Sequence, residues 1–277
     1  MFNRALLIAC LMIPMAAMAQ VCLVSKGKQQ GRIVLVEDND VNRKAATLLQ
    51  RFVRETSGGE LKIIATTKLA KNDVVIGEKT MEATDDGYVI DCSNGTLAIK
   101  SAGGKGAIYG VATLLEKFVG VDYLAKDFYT LTPSADIRIP KMHVAESPAF
   151  RFRQTFSYSN NDNTYRDWMR LHDHSEVFAN DMWVHTFDRL LPSSVYGKAH
   201  PEYYSFISGE RRPGNHSQWC LSNPEIFEIV ANRIDSIFKA NPGRNTISVS
   251  QNDGNDTYCQ CPECKKVNEY ELSLIHI

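Results

Sequence analysis

The stretch SAGGKGAIYGVATLLEKFVGVDYL, Ser101 to Leu124, decides how the first half of the chain folds. Gly103, Gly104 and Gly106 open it, and Ile108, Val111, Leu114, Leu115 and Phe118 then recur at the spacing of one helical face. A glycine-rich helix start can cradle phosphate, but neither G-x-G-x-x-G nor a Walker pattern is present. The glycines are therefore read as letting a helix pack closely on a sheet.

Toward the N-terminus, GRIVLVEDND predicts a strand over 32–37, with Asn39 or Asp40 capping a helix that carries Ala45, Leu48, Leu49, Phe52 and Val53. Ser57-Gly58-Gly59 stops that helix. Further strands are expected at 61–65, 73–77, 87–92 and 96–101, the last two joined as a hairpin across Ser93-Asn94-Gly95. Past the quoted helix, short strands end at Ile139-Pro140, and KMHVAESPA, 141–149, reads as a linker. This half resembles the small α/β domain that precedes the catalytic barrel in secreted hexosaminidases and α-glucuronidases. Gly104 to Gly110, Leu114 to Lys117 and Gly120 to Leu124 carry the resemblance, which covers 31–140 and implies a domain that is not itself catalytic.

The pattern changes after the linker. FRFRQTFSYS alternates as a strand, TYRDWMRLHDH reads as a helix, and MWVHTF is a second strand. HPEYYSFISGERR looks like a hairpin. QWCLSNPE is a strand and helix cap, followed by a helix through Ile226, Ile229, Val230, Ile234, Ile237 and Phe238, and TISVSQ is the next strand. Strands alternating with helices imply a parallel sheet. WVHTFDRLLP, HPEYYSFISGERR, CLSNPEIFEIVANRI and ISVSQNDGNDTYCQCPECK, in that order, resemble a family of secreted bacterial proteins in which a hexosaminidase-type domain precedes a glycosidase-like barrel domain of unknown function. The fold expected is thus α/β: a hexosaminidase-type domain over 31–140, then the first part of a (β/α)8 TIM-like barrel over 150–270, truncated.

If 151–158, 182–187, 218–221 and 246–251 are barrel strands one to four, polar residues just beyond them lie on the rim where such barrels build active sites. Asp253 leaves strand four and is the candidate general acid or electrostatic stabiliser; an Asx-turn is the competing reading of Asn-Asp-Gly. His185, Trp183 and Asn252 are candidate substrate contacts. Trp183, His185 and Phe187 would share one side of a strand, and Trp183 or Trp219 could stack on a sugar or belong to the core. His172 and His174 read as solvated surface. No H-E-x-x-H or G-x-S-x-G motif points to a zinc protease or serine hydrolase.

Met1 to Ala19 has Arg4, an apolar run and Ala17-Met18-Ala19, the pattern of a signal peptide, so the mature chain is expected to start at Gln20 and to be exported to the periplasm, outer surface or medium. Of seven cysteines, Cys10 leaves with that segment. Cys259, Cys261 and Cys264 cluster, and Cys220 could complete either a structural four-cysteine zinc site or disulfides, which export favours. No cofactor is expected for catalysis. With 277 residues, 44% hydrophobic and 23% charged, the chain suffices for two domains. A net charge of −1 gives no electrostatic case for nucleic acid, and no later stretch is long and apolar enough to span a membrane. The expected partner is a carbohydrate. ELSLIHI, 271–277, reads as a non-native tail, the chain then being an N-terminal fragment. Two functions are expected in turn: a glycoside hydrolase-like protein acting on complex glycans, inactive as a fragment, or a non-catalytic carbohydrate-binding protein.

Overall fold

A computed structural model describes residues 19–254 and 257–270. The expected signal peptide up to Met18 and the tail at 271–277 lie outside them. The chain forms two compact units that meet in sequence at Leu171 and His172.

The first unit contains β1 (Ala19–Ser25), β2 (Lys28–Gln29), β3 (Ile33–Leu35), α1 (Asp40–Ser57), β4 (Ile63–Ala65), β5 (Val74–Lys79), β6 (Tyr88–Ser93), β7 (Thr96–Ser101), α2 (Gly106–Leu114), β8 (Val121–Ala125), β9 (Phe128–Leu131), β10 (Ile137–Pro140), β11 (Met142–Glu146) and α3 (Asn163–Trp168). Its main sheet is mixed and six-stranded, in the order β11-β6-β7-β5-β3-β4. β7, β5, β3 and β4 run parallel, whereas β6 pairs antiparallel with both β7 and β11. Local chemistry sets these elements. The Asn39 side chain accepts from the Asn42 amide at the start of α1, and Gly58 closes the helix at φ 76°. Asn94 and Gly95 both take positive φ in a two-residue turn between paired Ser93 and Thr96, as a type I′ hairpin requires.

Every residue of α2 is buried. A Cβ on Gly106 would stand 2.1 Å from the Gly87 carbonyl oxygen, and one on Gly110 would be 2.7 Å from Ile99 Cγ2. The glycines thus serve close helix-to-sheet approach. The helix then widens into a π turn over Leu115–Val119, which Gly120 ends at φ 82°.

The stretch read as a linker belongs to this unit. β11 pairs with β6 from Met142–Cys92 to Glu146–Tyr88, so 142–146, within the stretch read as a linker, is an edge strand of the sheet. Beyond it, α3 delivers Trp168 into the core at 1% exposure, where its ring lies 5.4 Å from Phe52 and 5.5 Å from Tyr123. Polar bonds hold the same segment: Arg170 forks onto Glu116 at 2.8 Å through both terminal nitrogens and reaches Thr113 at 2.7 Å, and Arg153 pairs with Asp86 at 2.8 Å. Lys44 and Lys105 both pair with Asp167. The unit therefore includes residues on both sides of the expected 31–140.

The second unit contains α4 (His174–Val177), α5 (Phe187–Leu190), α6 (Ser193–Tyr196), the hairpin β12 (Phe206–Ile207) and β13 (Glu210–Arg211), α7 (Glu225–Ala240) and α8 (Pro262–Tyr270). The hairpin and α7 fall where the sequence puts them. The four expected barrel strands do not form as strands. Residues 151–157 have no regular structure, and Phe150 and Phe156 are exposed. Residues 179–186 and 246–250 do run alongside each other: Phe178 bridges Thr246 in parallel, and Ala179, Ser248 and Thr186 amides donate to Thr246, Met182 and Ser250 carbonyls. A 3-10 turn over Ala179–Asp181 interrupts regular pairing. Residues 218–220 bridge antiparallel to Tyr204. Met182, Phe187, Leu190, Tyr204, Trp219 and Ile226 centre this unit's core.

Trp168→Ala should destabilise the first unit by about 3–5 kcal/mol, the usual cost of truncating a buried aromatic side chain. Denaturant unfolding followed by near-ultraviolet circular dichroism measures it. A loss below about 0.5 kcal/mol, the scale of a surface substitution, would show that α3 is not part of that core.

Candidate metal centre and the loop beside it

Cys220, Cys259, Cys261 and Cys264 are all buried, and their sulfurs lie within 4.8 Å of one another. Three pieces of chain bring them together: the extended stretch before α7, the loop after Asn252, and the first turn of α8. Cys220 Sγ stands 3.7 Å from Cys261 Sγ and 3.9 Å from Cys264 Sγ. Four thiolates around zinc at about 2.3 Å would be separated by about 3.8 Å along each edge of the tetrahedron. The cluster is thus spaced for a closed tetrathiolate site.

Donors aim at the sulfurs, as they do in such sites. The Phe206 amide donates to Cys259 Sγ at 3.3 Å and the Cys264 amide to Cys261 Sγ at 3.4 Å. Ser222 Oγ lies 3.1 Å from Cys264 Sγ, and the Arg211 guanidinium is 3.8 Å from Cys259 Sγ. Burial pushes the Cys259 and Cys264 thiols up. Burial also acts to raise Cys261, but the Cys264 amide and the Ser222 hydroxyl outweigh it and hold that thiol below its ordinary range. A divalent cation would supply the charge that four buried thiolates need. All four positions are protein ligands, so a metal here would have no open place for water or substrate. The six cysteines of the described residues are free thiols, and Cys22 and Cys92 stand outside the cluster.

The loop that leads into the cluster carries Asp253, whose side chain is 91% exposed and 3.4 Å from His185 Nε2. His185 Nδ1 lies 3.1 Å from the Gln251 carbonyl oxygen, an acceptor only, so Nδ1 carries the hydrogen. Nε2 faces the Asp253 carboxyl. His185 also sits at φ 51°, a left-handed conformation that non-glycine residues rarely adopt. Asp253 and His185, separate candidates in the sequence, thus lie within reach of each other.

The other candidates are differently placed. Asn252 is 2% exposed, and its amide hydrogens go to Asp188 Oδ1 at 3.0 Å and the Ser217 carbonyl at 2.8 Å. Its backbone exchanges hydrogen bonds with the Gln218 side chain. Asn252 pins the loop, and its hydrogens are not available to a ligand. Trp183 stacks on His174 at 4.6 Å, while Phe187 opens α5 and stacks on Trp219 at 3.7 Å. Without a strand over 182–187, Trp183, His185 and Phe187 do not share a face. His172, read as solvated, is 6% exposed, and His174 pairs with Asp181 at 3.0 Å. Gln218, Ser222 and Arg211 support the site and are not evident from the sequence. Gln218 alone had a signal, its position two residues before Cys220 in an extended stretch.

The family model "Domain of unknown function (DUF4838)" matches residues 123–273, more than half of the chain. The chain belongs to the DUF4838 family. Residues 25–155 match "Glycosyl hydrolase family 20, domain 2", which relates this DUF4838 protein distantly to the glycoside hydrolases. Among solved structures, the chain is similar to Streptomyces plicatus N-acetyl-beta-hexosaminidase at 15% identity, over 77% of this chain and 41% of that one, with a TM-score of 0.37. It is similar to a Vibrio harveyi GH20 exo beta-N-acetylglucosaminidase at 16% identity, over 45% and 17%, with a TM-score of 0.33. A family GH115 4-O-methyl-alpha-glucuronidase matches at 15% identity, over 48% and 19%, with a TM-score of 0.37. The chain spans less than half the length of each. No curated protein matches. Among the described residues, no helix is long and apolar enough to cross a membrane.

Purified under reducing conditions and loaded with zinc, the protein should hold about one tightly bound ion per chain, as a single closed site requires. Cys261→Ser and Cys264→Ser should each lose it. Elemental analysis with a thiol titration checks this. An absence of metal with all four thiols consumed when reductant is withheld would establish disulfides instead.

Proposed function

We propose that this DUF4838 protein is an exported glycoside hydrolase-like protein that acts on complex glycans, with 150–270 as the opening part of a (β/α)8-type barrel. The observation that carries the reading is the match of 25–155 to a family 20 glycoside hydrolase domain, followed in the same chain by the Asp253–His185 pair. The parallel course of 179–186 and 246–250 suits two barrel segments, and Asp253 lies just past the end of the second. In this reading the signal peptide, 1–19, directs export to the periplasm, outer surface or medium, and 31–140 is the core of a supporting domain.

In this reading each residue has a role. Asp253, open to solvent, protonates the leaving oxygen or steadies positive charge as the glycosidic bond breaks. His185, held by the Gln251 carbonyl, presents Nε2 to that carboxyl and returns the proton. The four-cysteine centre stays out of the chemistry and fixes the far end of the loop. A second reading, a non-catalytic carbohydrate-binding protein, is favoured by the 91% exposure of Asp253, since general acids of glycosidases are held in enclosed sites.

Sugar release and binding by the full-length natural protein on a panel of complex glycans separate the two. If Asp253 is catalytic, Asp253→Asn should lower turnover by about 10² or more with binding retained, while the surface variant Asp235→Asn changes neither. A wild-type protein that binds glycans without releasing sugar is a binding protein. One that neither binds nor cleaves any glycan refutes both readings.

A further inference from the structure

A cavity of about 170 Å3 opens beside the cysteine cluster, and none of Asp253, His185, Trp183 or Asn252 lines it. It lies between two pieces of chain. The extended stretch 218–222 supplies Trp219 and Leu221 to one wall, and α8 supplies Val267 and Asn268 to the other. Tyr258 and Gln251 border it from the loop that carries Asp253. Leu221 is 71% exposed and Val267 55%, an unusual exposure for apolar side chains that flank a pocket. A cavity of roughly 150 Å3 lined by aliphatic side chains takes one benzene ring. This one has room for a single six-membered ring, and it offers that ring apolar walls with amide and hydroxyl groups from Gln251, Asn268 and Ser222 among them.

The same two pieces of chain are joined by the sulfur cluster. Cys220 follows Trp219 on one wall, Cys264 lies three residues before Val267 on the other, and Cys259 and Cys264 themselves line the cavity. A metal bound to all four sulfurs would therefore fix the distance between the walls. The geometry points to a subsite for one pyranose ring of a glycan, its two walls clamped by the four-cysteine metal centre, so that metal and sugar bind cooperatively. A pyranose has the form required, an apolar C–H face to lie against Leu221 and Val267 and a hydroxylated edge for the polar groups. The choice of a sugar rests on the glycan reading above; the clamping rests on the shared residues alone. Cooperative binding is reciprocal: whatever factor the metal adds to sugar affinity, the sugar adds to metal affinity.

The test titrates a panel of methyl pyranosides calorimetrically into the zinc-loaded protein and into protein stripped by a chelator under reducing conditions. At least one pyranoside should bind the loaded form and bind the stripped form about fivefold or more weakly, and zinc affinity measured at saturating pyranoside should rise by the same factor. Val267→Trp places a large ring at an exposed helix position facing the cavity and should abolish pyranoside binding while zinc stays at about one per chain. That variant decides the subsite even if stripping unfolds the second unit, because it is measured fully loaded. Equal affinity in loaded and stripped protein overturns the clamp, and unchanged binding in Val267→Trp overturns the subsite. If the protein binds polymeric glycans but no pyranoside, the subsite fails while the glycan reading stands; if it binds no sugar of any kind, both fail.

Discussion

The second unit has a single two-residue-strand hairpin as its only described ladder, so its long connecting segments must be tied by something other than sheet. The meeting of four buried sulfurs is the tie with the longest reach. It joins residues on either side of α7, across more than 40 positions of sequence, and sets where α8 can lie. Closing so long a loop costs chain entropy that a few van der Waals contacts do not offset, which is why short irregular folds lean on metals or disulfides. The loop between Asn252 and Cys259 is held at both ends: Gln218 and Asp188 grip Asn252, and the cluster grips Cys259. Asp253 faces solvent from a segment whose ends are fixed.

The first unit was legible where its signals are local. Asn39 as a cap, Gly58 as a stop, the Asn94-Gly95 turn and the apolar face of α1 each act within a few residues, and each is where the sequence places it. β11 was missed because its alternation is weak: Met142 and Val144 are only half-buried, and what recruits the strand is the free edge of β6, which is remote in sequence. The burial of Trp168 has the same origin. A tryptophan in a polar helix gives no sign that Phe52 and Tyr123 have left room for it.

In the second unit the balance reverses. The alternating FRFRQTF segment that leads toward it satisfies every local rule for a strand, yet Arg153 directs its guanidinium to the Arg170 and Phe150 carbonyls and to Asp86, contacts that alternation does not encode. The cysteine spacing was informative because thiols have few competing uses; whether Cys220 joins the other three was a matter of tertiary approach. Asn252 and Asp253 show the opposite case. Adjacent polar residues of similar size, both suited to turns, point in different directions, one into a saturated buried network and one into water, and only the fold decides which.

The placement of Trp168 has a consequence for how the protein is made. The core of the first unit is filled by a side chain that lies well past its last sheet strand, so a growing chain that has just released Pro140 has all but one strand of its six-stranded sheet and an aromatic vacancy beside Phe52 and Tyr123. At synthesis rates of about 5–20 residues per second, that vacancy lasts on the order of seconds. At the start of that interval the edge of β6 lacks β11, and until its end apolar surface is open to any chaperone that meets the nascent chain. The unit does not close when its sheet has been translated; it closes when α3 arrives.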